Sequence, residues 1–78
     1  MPDIDQLKAI FARTFPEAEI PDDFIELELG DIEEWDSLGN FNLLLAIEET
    51  FAIRLDMEEM SSLKSIRGFL DKLAAEGI

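Results

Sequence analysis

Trp35-Asp36-Ser37-Leu38-Gly39-Asn40-Phe41-Asn42-Leu43-Leu44-Leu45-Ala46-Ile47-Glu48-Glu49-Thr50-Phe51 is the stretch whose reading decides the fold. Leu43, Ile47 and Phe51 recur at four-residue spacing and form one helical stripe, which Leu38, Phe41, Leu44 and Leu45 widen. The helix starts at Asp36 or Ser37, because either short side chain can accept hydrogen bonds from the open N–H groups of the first turn. A helix this apolar is central to a bundle or partly exposed for binding. The first fits most of these residues, and the second fits one or two near the N-terminal end.

Helical patterns flank this stretch. Upstream, Ile4, Leu7, Ile10, Phe11 and Phe15 share one face of a helix expected over residues 4–15, with Asp3 as N-cap, Gln6 completing a capping box, and Pro16 as the stop. Residues 16–35 carry Pro16, Pro21, Gly30 and many acids, which argues against a regular element. Phe24, Ile25, Leu27, Leu29 and Ile32 argue against a free linker, so the segment reads as a long loop pinned to the core. The alternation Ile25, Leu27, Leu29 suggests a short strand, but no second strand is evident to pair with it. Downstream, a short helix is expected over residues 56–60 with a capping box from Asp56 and Glu59. A last helix is expected from Ser62, as cap, to about Ala75. Leu63, Ile66, Leu70 and Leu73 would line its inner face, and Gly77 would follow at the C-terminal end. The expected fold class is all-α: one domain over residues 1–78, with three main helices, a short third helix, and a long loop between the first two.

Composition bounds the function. The chain has 78 residues, a net charge of −13 from six Lys and Arg against 19 Asp and Glu, and neither Cys nor His. Hydrophobic residues make up 47%, enough for a compact core and too many for an acidic disordered tail. The longest apolar run, Leu43 to Ile47, is far short of the ~20 residues that span a bilayer. Asp3 and Asp5 do not fit a signal peptide, so a cytoplasmic protein is expected. Nucleic acid and anionic membranes would repel this charge, and basic protein surfaces would attract it. A monomer kept soluble by its acids is the plainer reading of the same charge.

Catalytic equipment is absent. Without His or Cys, a metal would have to rely on carboxylates, and the acids between Asp22 and Asp36 do not match a calcium loop. Counted from Asp23, the next ligand positions hold Ile25 and Leu27. No glycine-rich loop cradles phosphate, and Ser37 has no base beside it to make it a nucleophile in its own right. Ser37 is better suited to receive a group from another enzyme, since a phosphate ester at a helix N-terminus is stabilised by exposed N–H groups and the helix dipole. A simple phosphorylation site would satisfy the same physics. The plain structural reading of Asp36-Ser37 is a helix cap and nothing more.

Trp35-Asp36-Ser37-Leu38, followed by a helix ending in Ala46-Ile47-Glu48-Glu49-Thr50-Phe51, resembles the acyl carrier protein family over essentially the whole chain, including the closing Ser62-Leu63-Lys64-Ser65-Ile66. The resemblance implies a four-helix acyl-carrier-like bundle. Ser37 would bear a 4′-phosphopantetheine arm, transferred from coenzyme A by a phosphopantetheinyl transferase, whose thiol holds acyl or aminoacyl groups as thioesters. It further implies that Asp36 caps the helix and contacts the transferase or its metal-bound cofactor. Leu38 would give docking enzymes an apolar contact, Glu48 and Glu49 would lie on the recognition helix, and Met57 would frame the acyl chain or a partner face. Ordinary core packing is the competing reading of Met57 and Met60. The implied partners are the transferase, an acyl- or aminoacyl-loading enzyme, and downstream transferases with basic docking surfaces. Cargo is expected between the second and third helices, among Leu45, Phe51 and Leu63.

The chain departs from the family where many members place acids just after the motif, at positions held here by Gly39, Asn40 and Asn42. Together with Trp35, these point to a specialised stand-alone carrier. Gly39 costs up to ~1 kcal/mol relative to Ala in a helix and would permit close backbone approach by a partner. Two other classes of function stay open: an acidic helical protein-interaction module with no prosthetic arm, and an enzyme that uses carboxylates alone.

No basic residue occurs between Thr14 and Ile53, so like charge is crowded along half of the chain. Added salt or divalent cations are expected to raise the melting temperature by screening that repulsion. A melting temperature that stays flat across a salt titration would refute this.

Overall fold

The computed structural model describes residues 2–77, and side-chain surroundings from residue 4 onward. Four α-helices follow in order: α1 (Pro2–Thr14), α2 (Ser37–Phe51), α3 (Met57–Ser62) and α4 (Ile66–Ala75). Among the described residues there is no β-strand, so the class is all-α as expected.

α1 begins earlier than the apolar pattern suggests. Pro2 sits in its first turn, where the missing N–H would lack a partner anyway. Asp3 therefore lies inside the helix and is not its N-cap; its side chain lies outside the described residues. At the other end the Phe15 N–H still donates to the Phe11 carbonyl (2.8 Å), and Pro16 allows no further turn.

The loop from 16 to 35 is held as its apolar residues predict. Phe24 opens a 3-10 turn (Phe24–Glu26) and is buried, while Ile25, Leu27, Leu29 and Ile32 are half-buried against the core. The alternating segment does find a partner. Glu28 and Ser65 form an antiparallel bridge, flanked by Leu29 N–H to Lys64 O (2.8 Å) and Ile66 N–H to Leu27 O (3.1 Å). This bridge also corrects the expected start of the last helix. Ser65 is extended and the chain around it is paired with the loop, so α4 cannot begin before Ile66. Its cap is Ser65, whose hydroxyl accepts from Gly68 N–H (3.0 Å), and not Ser62. Ser62 instead ends α3, donating its hydroxyl to Glu59 O. Asp56 and Glu59 form the predicted capping box, and Asp36, with its carboxylate on Gly39 N–H (2.8 Å), caps α2.

One core joins these elements. Leu7, Ile10 and Phe11 from α1, with Phe15 just after it, meet Leu43, Leu44 and Ile47 from α2 and Ile66, Phe69 and Leu73 from α4. The inner face of α4 thus centres on Phe69, with Leu70 only half-buried. Phe11 lies at the aromatic centre, edge-on to Phe15, Phe24 and Trp35 at ring-centroid distances of 4.9, 5.4 and 5.4 Å. Trp35 is fully buried and reaches on to Phe69.

Gly39 explains how Trp35 gets there. A Cβ at this position would overlap the Glu34 carbonyl oxygen and lie 2.9 Å from Cε1 of Phe15. The close approach that Gly39 permits is therefore made by this chain's own loop and α1, where the sequence suggested a partner. Gly39→Ala would gain up to ~1 kcal/mol of helix propensity. It would also force the loop backbone away from α2, at about 1–3 kcal/mol for overpacking. The expected net effect is destabilisation, read as a fall in melting temperature. An unchanged or higher value would contradict this packing.

Candidate functional site

Asp36 caps α2, and this leaves the Ser37 hydroxyl outside every hydrogen bond found among the described residues. Ser37 is exposed, as are Asp36 and Leu38, which is 70% exposed. Leu38, Phe41 and Leu45 are spaced as one helical stripe, and all three face solvent. Met57 at the start of α3 is 84% exposed, which removes core packing as its explanation; Met60 is half-buried against the core.

Ser37 also borders an open cavity of ≈ 360 Å³ between α2 and α3. Its apolar walls are Leu29, Phe41, Met57 and Met60, and its polar lining is Ser37, Asn40, Ser61 and Lys64. The space lies between the second and third helices, where the sequence put it, but Leu45, Phe51 and Leu63 do not line it. Leu63 belongs instead to a filled seam with Leu44, Ile47, Ile53, Leu55 and Phe69. Leu45 points outward, and Phe51 is half-buried. The open volume lies nearer the start of α2, beside Ser37.

Asn40 does something the sequence reading missed. It is 4% exposed, accepts from the Trp35 indole N–H through Oδ1 (3.0 Å) and donates through Nδ2 to the Leu63 carbonyl (2.9 Å). Read as a lost surface acid, it is in fact a buried link between the loop, α2 and the α3–α4 connection. The signal was available: Asn40, Leu43, Leu44 and Ile47 share helical spacing, so Asn40 continues the buried stripe.

The two predicted recognition acids differ in position. Glu48 is half-buried, and its Oε2 accepts from Leu55 N–H (2.8 Å), so it fastens the turn after α2. Glu49 is exposed, about 18 Å along the helix from Ser37 at 1.5 Å per residue. It borders a second cleft, with Arg13, Thr14 and Thr50 between α1 and α2.

The cations are unevenly committed. Arg67 pairs with Glu26 at the surface, and its pKa is raised by that hydrogen bond and by the charge of Glu26. Lys72, with a side chain 18% exposed, bridges Glu59 of α3 and Glu76, and these two hydrogen bonds, Glu59 first, raise its pKa. A raised lysine pKa contributes stability that is complete below its ordinary value and is lost only as the pH climbs through the alkaline range. Lys64 makes no ion pair among the described residues. Within those residues no group of three or more Asp or Glu could hold a metal ion, and no helix is long and apolar enough to cross a membrane.

Fold and site together define an all-α domain that presents a free serine hydroxyl, an exposed apolar stripe and an open cavity at the start of its central helix. Comparison with protein-family models, with curated proteins and with solved structures finds no match for this chain.

Replacing Asn40 with Leu strands the buried Trp35 N–H and the Leu63 carbonyl, at about 1–3 kcal/mol for a stranded group. Asn40→Asp keeps an acceptor for Trp35 but loses the donor to Leu63. Denaturant unfolding should rank wild type above Asn40→Asp, with Asn40→Leu also well below wild type. Equal stability of wild type and Asn40→Leu would show that the link contributes nothing.

Proposed function

We propose that this chain is a carrier of the acyl carrier protein type, with Ser37 as the attachment point of a 4′-phosphopantetheine arm. The single observation that carries this reading is the division of labour at the start of α2. Asp36 does the capping, and Ser37 is left exposed with an uncommitted hydroxyl beside an open cavity. The order of the helices supports it too, with a long loop between α1 and α2 and a short α3 before α4.

The residues present fit such an arm. The hydroxyl is accessible, its first-turn neighbour Leu38 is exposed, and the cavity offers room next to it. When bound, the arm would supply a thiol on which acyl groups ride as thioesters. The chain itself contributes a nucleophilic oxygen. Ser37 Oγ would displace adenosine 3′,5′-bisphosphate from coenzyme A, forming one P–O bond as another breaks, and its proton would pass to the transferase. Asp36 fixes the backbone that carries Ser37, and its second carboxylate oxygen is left for the transferase. Leu38, Phe41 and Met57 would form the apolar part of a docking face, and the surrounding acid would attract enzymes with basic surfaces. In this reading Glu49 joins that docking surface, while Glu48 serves mainly to hold Leu55.

The exposed stripe of Leu38, Phe41 and Leu45 would also serve an interaction module with no arm. Intact mass after incubation with coenzyme A and a broad-specificity phosphopantetheinyl transferase separates the two. The carrier gains one phosphopantetheine, and Ser37→Ala gains none. A folded native chain left unmodified, with a known carrier modified in parallel, would sink the carrier reading and favour the armless module.

A further inference from the structure

The cavity beside Ser37 has an unusual mixture of walls. Phe41, Met57 and Met60 make it apolar, and ≈ 360 Å³ lies within the ~300–1,000 Å³ range of small-molecule sites. Among its polar groups, Asn40 is already engaged, its oxygen with Trp35 and its nitrogen with Leu63. The Ser61 hydroxyl and the Lys64 ammonium are free of hydrogen bonds and ion pairs among the described residues. Lys8, Arg13 and Arg54 likewise make no ion pair among the described residues, but none of them borders this cavity. The Lys64 backbone is fixed, because its carbonyl accepts from Leu29 N–H (2.8 Å) in the pairing that precedes α4. Lys64 is thus an exposed charge on an anchored stem, and it is the only charged residue among the described residues that line the cavity.

We infer that this cavity receives the acyl end of the cargo and that Lys64 selects a cargo ending in a carboxylate. The inference rests on the carrier reading of Ser37. A plain hydrocarbon chain would gain the apolar walls and leave Lys64 unused. A cationic cargo would meet Lys64 as a like charge. A carboxylate would be repelled by most of this surface, and this cavity offers it apolar walls and an unpaired cation with no acid in its lining, whereas the cleft that holds Arg13 also holds Glu49.

The test loads Ser37, through the transferase, from adipyl-, adipamoyl- and hexanoyl-coenzyme A. Adipamoyl is the neutral isostere of adipyl. Methyl shifts of Met57 and Met60, side-chain shifts of Lys64, and the rate of thioester cleavage by hydroxylamine are then read for each. The expected result is that adipyl moves all three side chains and is cleaved up to about fivefold more slowly than adipamoyl, the scale of a partly exposed ion pair. That difference should vanish in Lys64→Gln, a surface change whose fold is checked by circular dichroism. Equal behaviour of adipyl and adipamoyl, or a difference that survives Lys64→Gln, would overturn the inference and leave the carrier intact. So would a Lys64 shift produced by the unacylated arm and unchanged by adipyl, which would assign Lys64 to the phosphodiester. No mass gain from any of the three thioesters would instead remove the carrier reading itself.

Discussion

Asn40 is the constraint on which the rest of the structure depends. Its amide is placed where the loop, α2 and the α3–α4 connection converge, and both ends of it are satisfied internally. A buried polar group is favourable only when its partners are in place, so this link specifies one arrangement of three segments. It requires Trp35 to be buried at the end of the loop, which in turn requires the absence of a side chain at Gly39. With Trp35 in place, the residue after it caps α2, and the next presents the free hydroxyl. The exposed serine is thus the surface end of a chain of requirements that begins in the core.

Two kinds of force hold the two sides of the molecule. α1, α2 and α4 are joined by burial of large apolar side chains, which stabilises by about 1.5–3 kcal/mol for each fully buried Leu, Ile or Phe. α3 contributes no fully buried residue. It is retained by its capping box, by Glu48 on Leu55, by Lys72 on Glu59, and by the grip of Asn40 on Leu63. Segments with few buried contacts open at lower free energy than the core. The wall of the cavity that carries Met57 and Met60 is therefore the softer one, and the α2 wall is the firm one.

Much of this was legible in the sequence. The four helices, the capping box at Asp56, the pinned loop and the outward placement of residues near the start of α2 follow from spacing and capping chemistry. The misses share one physical origin, which is tertiary contact overriding a local signal. Ser62 and Ser65 are equally good caps in isolation, and only the pairing of 64–66 with the loop decides between them. Asn40 looks like a surface residue by type and like a core residue by position, and its position decides, because Trp35 and Leu63 supply partners from distant parts of the chain. Gly39 carries no local sign of what approaches it. At the site, Ser37 and Leu38 could be found from the motif alone, whereas Lys64 could not, since only the fold brings it to the same cavity.

The burial of Trp35 has an optical consequence. It is the chain's only tryptophan, and there is no tyrosine. Its indole donates to Asn40, and Asn40 lines the cavity. Emission excited at the red edge of the tryptophan band, where the phenylalanines do not absorb, therefore comes from one chromophore, one hydrogen bond removed from the cavity wall. The molecule carries its own spectroscopic probe of that wall, with no label to attach.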